Sequence, residues 1–158
     1  MGKQQPIEVF MPPNILKAKV GGSGRLDISA VQRAEKAVEE LKGEFAAWIV
    51  EDVNRLAATR DAYNANRTAD TLGALYRASH DLKGQGTTFD FPLVARVAAS
   101  LCKMSDVEDA GEKLPMSLID AHVNAIKVIV RDNIKDPKNP MATALAAELE
   151  HQVADYLK

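Results

Sequence analysis

Leu72-Gly73-Ala74-Leu75-Tyr76-Arg77-Ala78-Ser79-His80-Asp81-Leu82-Lys83-Gly84-Gln85-Gly86-Thr87-Thr88-Phe89 reads as a helix with one apolar face. At about 100° per residue, Leu72, Leu75, Tyr76, Ser79, Leu82 and Gly86 share that face, and His80 stands beside it, where its imidazole reaches solvent. Lys83 and Gly84 follow by three and four residues, so both neighbour His80 on the next turn. Gly inside a helix is about 1 kcal/mol less favourable than Ala, so Gly84 needs a reason. Clearance is one: without a side chain there, a second protein reaches the imidazole closely. Lys83 can neutralise oxygens of a phosphoryl group held on the ring.

The same reading extends outward from this segment. A first helix starts at Asp27 or Ser29 and runs into the sixties, with Val31, Ala34, Val38, Leu41, Phe45, Trp48, Val53, Leu56 and Tyr63 at helical spacing. The helix carrying His80 begins near Thr68, with Asp70 in its first turn. After a break over Thr87 to Asp90, a third helix runs from Phe91-Pro92 to about Met104, its stripe being Leu93, Val94, Val97, Leu101 and Met104. A charged loop from Ser105 to Lys113 ends it. A fourth helix follows Pro115, with Leu118, Ile119, Val123, Ile126, Val130 and Ile134, and a fifth follows Asn139-Pro140, with Leu145, Leu149, Val153 and Tyr156.

No strand alternation or internal repeat accompanies these helices, and the economical architecture is all-α: an antiparallel four-helix bundle core with an additional helix and an extended N-terminal arm. Either the last four helices form that core, or the long first helix joins it and a terminal helix packs outside. Residues 1–26, with Pro6, Pro12, Pro13 and Gly21-Gly22-Ser23-Gly24, read as the extended or flexible arm, and 27–158 as the bundle. The glycine run lacks the Lys-Ser/Thr ending of a phosphate loop.

With 158 residues, 46% hydrophobic but only 5% aromatic, the chain suits one domain with an aliphatic core. A formal net charge of −2 gives no basic excess for nucleic acid. The absence of a spanning apolar run or secretory signal predicts a cytoplasmic protein without membrane contact. Cys102, the single cysteine, reads as a small buried hydrophobe. His122 and His151 lack the Lys-Gly pattern and read as surface or satisfied core positions. Glu39-Glu40 and the Asp106, Glu108, Asp109 cluster read as solvated faces, and no ligand set for a metal is spaced along the chain.

The run His80, Lys83, Gly84, Gly86, Phe89 resembles the histidine phosphotransfer (HPt) family, whose pattern is His, two residues, Lys, Gly, then small residues and an apolar residue nine after the His. Gly84 to Leu93 looks like a variant seen in free-standing bacterial members. The chain departs at Gln85, where the family usually has Ser or Ala, at Thr87, usually Gly or Ala, and at Asp90, often Gly. The resemblance implies an α-helical, monomeric phosphorelay protein. His80 would take a phosphoryl group, through the ring nitrogen farther from the backbone, from a receiver-domain aspartate of a response regulator or hybrid histidine kinase. It would then pass that group to another receiver. It also implies that the chain binds no cofactor and that magnesium comes with the receiver.

Imidazole suits this role because it is both nucleophile and leaving group near neutral pH. Such transfer depends mainly on alignment and charge neutralisation. His80 is then the phosphoacceptor and Lys83 the neutralising cation, with Gly84, Arg77, Gln85 and Thr87 as docking positions. Two readings compete: a helical adaptor that binds a signalling partner without covalent chemistry, and a small enzyme using His80 and Lys83 as acid and base. The enzyme reading lacks a second carboxylate or nucleophile in the motif. An autonomous kinase is excluded by the absence of a nucleotide-binding motif.

Overall fold

In the computed structural model, which describes residues 27–106 and 114–158, the chain forms five helices: α1 (Ile28–Ala65), α2 (Ala69–Thr88), α3 (Pro92–Ser105), α4 (Met116–Arg131) and α5 (Pro140–Tyr156). Among the described residues there is no strand, so the protein is an all-α helical bundle. The expected N-terminal arm (1–26), and Glu108 and Asp109 of the charged loop, lie outside the described residues.

Helix starts follow the capping chemistry that the sequence carries. Asp27 accepts the backbone N–H of Ser29 at 3.1 Å and its hydroxyl at 2.8 Å. Thr68 and Thr71 form a reciprocal capping box at the start of α2, where Asp70 complements the helix dipole. Asn139 accepts the N–H of Ala142 at 3.0 Å, and Pro92 and Pro140 occupy first-turn positions where no N–H is needed.

The break expected over Thr87 to Asp90 is shorter, because α2 continues to Thr88 and stops in a Schellman turn. Phe91 donates its N–H to the Gly86 carbonyl at 2.7 Å and Asp90 donates to Thr87 at 3.4 Å, with Asp90 left-handed at φ 64°. The end of α4 repeats the device: Ile134 bonds to Ile129 at 2.9 Å, Asn133 to Val130 at 3.1 Å, and Asn133 has φ 52°. Ile134 thereby leaves the helix yet packs against the core.

The chain divides into two units, Met1–Leu41 and Lys42–Lys158. In the first, Ile28, Val31, Val38 and Leu41 are exposed, which corrects the expectation of a core stripe along all of α1. There the helix is the only described element, and one helix offers no second surface on which to bury a stripe.

In the second unit every helix contributes to the core. Ile49, Val53, Leu56 and Tyr63 bury the later face of α1, meeting Leu75 and Leu82 of α2, Val94, Leu101 and Met104 of α3, Ile119, Ile126 and Ile129 of α4, and Leu149 and Val153 of α5 in one cluster. α3 packs against α2, α4 and α5, and α4 also packs against α5. Arg60 of α1 donates to Asp120 of α4 at 2.6 Å. Two further stripe positions are corrected: Trp48 is half exposed, and Tyr156, in the last turn of α5, is exposed, since the core cluster takes only Ala142, Ala146, Leu149 and Val153 from that helix. No helix among the described residues is long and apolar enough to cross a membrane.

Candidate functional site

His80 stands on α2 beside a face that is packed into the core. Leu75, Ser79 and Leu82 are fully buried, and Ser79 donates its hydroxyl to the Leu75 carbonyl at 2.8 Å, so the face beneath His80 is anchored. His80, Lys83 and Gly84 are exposed together on successive turns. The Tyr76 ring, one turn earlier and half buried, lies 6.1 Å from the imidazole between centroids, with the planes 35° apart.

The two glycines of the motif do different things. A Cβ built on Gly84 meets no heavy atom within 4 Å, so the space over that turn is open to a partner. A Cβ on Gly86 would lie 2.7 Å from the backbone N of Ala95 and 3.1 Å from its Cα and Cβ. Gly86 is therefore required by packing, and it lets the backbones of α2 and α3 close on each other.

That approach makes a groove of about 460 Å³. His80, Lys83, Gly84 and Thr87 line it from α2, and Pro92, Ala95, Arg96 and Ala99 from α3. Two of the six sequence-derived site positions stand apart from it. The Arg77 guanidinium folds back over its own helix, its Nη1 being the atom that a Cβ on Gly73 would meet at 3.3 Å, and Gln85 is half buried without lining the groove. Arg96 was missed by the sequence reading. The available signal is the spacing of Pro92, Ala95, Arg96 and Ala99 at i, i+3, i+4 and i+7, a face of small residues with one cation.

Charge around the motif is asymmetric. Asp81 is exposed and near Asp52 of α1, whose carboxyl is held above its usual range chiefly by burial, with Arg55 opposing and the Asp81 charge adding. Burial pushes the Cys102 thiol up to about 11, the nearby Lys83 ammonium pulling the other way, so Cys102 is the inert buried side chain expected.

His122 is a satisfied core residue. Its Nδ1 lies 2.7 Å from the Leu118 carbonyl, which only accepts, so Nδ1 carries the proton and Nε2 accepts the Ser100 hydroxyl at 3.0 Å. Burial lowers its pKa, the Leu118 bond opposing. His151 is exposed, 3.3 Å from Asp155. Among the described residues no three His, Cys, Asp or Glu side chains gather as a metal site.

Compared with protein-family models, curated proteins and solved structures, the chain finds no match in any of the three.

Proposed function

We propose that this protein is a histidine-containing phosphotransfer protein of a two-component phosphorelay. The supporting observation is the open, exposed turn in which His80, Lys83 and Gly84 stand together with nothing over Gly84. A nucleophile and a cation on a rigid helix are what alignment-driven phosphoryl transfer asks of the carrier. The His80 Nε2 lone pair forms the N–P bond as the O–P bond of the receiver's aspartyl phosphate breaks. The carboxylate leaves with that electron pair, and the Nδ1 proton stays on the ring. Lys83 neutralises the phosphoryl oxygens, and the reverse step returns the group to another receiver. Magnesium and the acidic residues around it belong to the receiver, and the chain acts as a carrier in the cytoplasm rather than as a kinase.

Incubation with a panel of phosphorylated receiver domains and magnesium tests this. Label is expected on the wild-type chain, acid-labile and mapped to His80, with none on a folded His80→Gln variant. Equal labelling of His80→Gln, or label on His122 or His151, removes the assignment. A receiver that binds without transferring label favours the adaptor reading instead.

A further inference from the structure

The groove beside His80 has a second cation, supplied by α3. Ala95 is the residue whose backbone closes on Gly86, and Arg96 follows it, so the tight crossing of the two helices makes Arg96 a lining residue of the groove that His80 and Lys83 also line. Arg96 is not loose there. Its Nε and Nη2 donate to the two carboxylate oxygens of Glu150 on α5 at 2.7 and 2.8 Å, a planar two-point fork. The guanidinium stays charged, and its remaining Nη1 makes no hydrogen bond to a described residue. The same pair lines a second groove, of about 780 Å³, between α3 and α5. Arg96 therefore lines both grooves, fixed by the Glu150 carboxylate and retaining donors on Nη1.

We propose that Arg96 is a specificity-determining residue of the phosphotransfer site: its free Nη1 donors receive a carboxylate at the rim of the docked receiver, and Glu150 positions it for that contact. The inference rests on the phosphotransfer reading and adds the chemistry that selects the partner. A guanidinium already held at two points by Glu150 loses little further freedom when Nη1 takes a carboxylate oxygen of the partner. Lys at this position keeps the charge and loses the shared geometry.

The test measures transfer from one phosphorylated receiver to the full chain, with phosphoramidate as a small donor that needs no docking surface. Arg96→Gln is expected to raise the KM for the receiver about tenfold while kcat falls much less, with Arg96→Lys between the two and Glu150→Gln raising KM about threefold. The exchanged pair Arg96→Glu with Glu150→Arg separates docking from stability: it restores the melting temperature lost in the single variants and leaves KM high. KM within twofold of wild type in Arg96→Gln, or KM restored by the exchanged pair, overturns the proposal. So does a shortened phosphohistidine lifetime in Arg96→Gln with KM unmoved, which would place the contact on the phosphoryl group. Failure of both donors to phosphorylate wild-type His80 removes the carrier reading itself, and this inference with it. Labelling by both donors with KM insensitive to Arg96 removes this inference alone.

Discussion

At Gly84 the absent side chain faces open space, whereas at Gly86, two residues on, it faces another backbone. The two substitutions to Ala should therefore have opposite signs. Gly84→Ala is expected to raise stability by about 0.5–1 kcal/mol, the helix-propensity difference, since nothing obstructs the new methyl. Gly84→Gln is expected to keep the fold and depress transfer, because the longer chain stands where a partner must approach. Thermal melts beside transfer assays separate the effects, and wild-type transfer by Gly84→Gln would end the clearance argument. The position of His80, Lys83, Gly84 and Thr87 on one wall was legible in the sequence, since all four belong to one helix and spacing alone places them. Arg96 was not, because its place depends on how closely α2 and α3 cross. That Arg77 and Gln85 stand outside the groove was not legible either: spacing gives the angle around a helix and says nothing of where a long side chain settles.

For the α2–α3 pair, the crossing at Gly86 and the turn at Asp90 are one construction. The helix ends where the Gly86 carbonyl is taken by Phe91, and α3 begins immediately at Pro92, so the small residues of α3 fall opposite the motif. Gly86→Ala is expected to destabilise the protein by about 1–3 kcal/mol, since the added carbon meets backbone that must shift rather than a side chain that can turn away. Denaturant unfolding measures this, and an unchanged midpoint would show that the helices separate freely. Asp90 holds the left-handed conformation for which the related pattern often uses Gly, and Asp is among the few residues that enter it at modest cost. Asp90 therefore makes this turn without glycine. Helix boundaries were legible because Thr68, Pro92, Asn139 and Pro140 are local signals. The fate of the α1 stripe was not, because periodicity marks a face without supplying the surface that covers it. Val53, Leu56 and Tyr63 find one, and Val31, Val38 and Leu41 do not.

Across the bundle, His122 ties α4 to α3 through Ser100, as a neutral ring with both nitrogens satisfied. Its pKa is lowered from the ordinary 6.5 by burial, so the unfolded chain binds the proton more readily than the folded one. The stability this residue contributes is present above about pH 6.5 and is lost as pH falls below that value toward the lower folded pKa. Unfolding free energies between pH 7 and pH 5 should therefore decline, and His122→Gln should lower stability throughout while flattening the decline. An equal slope in that variant would assign the acid sensitivity elsewhere. The partly exposed Arg60–Asp120 and Arg96–Glu150 pairs join helices in the same unit, but with this much solvent around them each adds about 1 kcal/mol at most, so the apolar cluster carries the fold.

The chain has a single tryptophan, and Trp48 rests on Phe45 and on Phe89, with ring centroids 5.6 and 6.0 Å away. Phe89 is the residue that terminates the His80 helix. The only indole emission of the molecule thus originates at the end of the helix that bears the imidazole, half in water and half against an aromatic cluster. Intrinsic fluorescence of the unmodified chain is in effect a local optical probe of that helix end, with no second indole to dilute the signal.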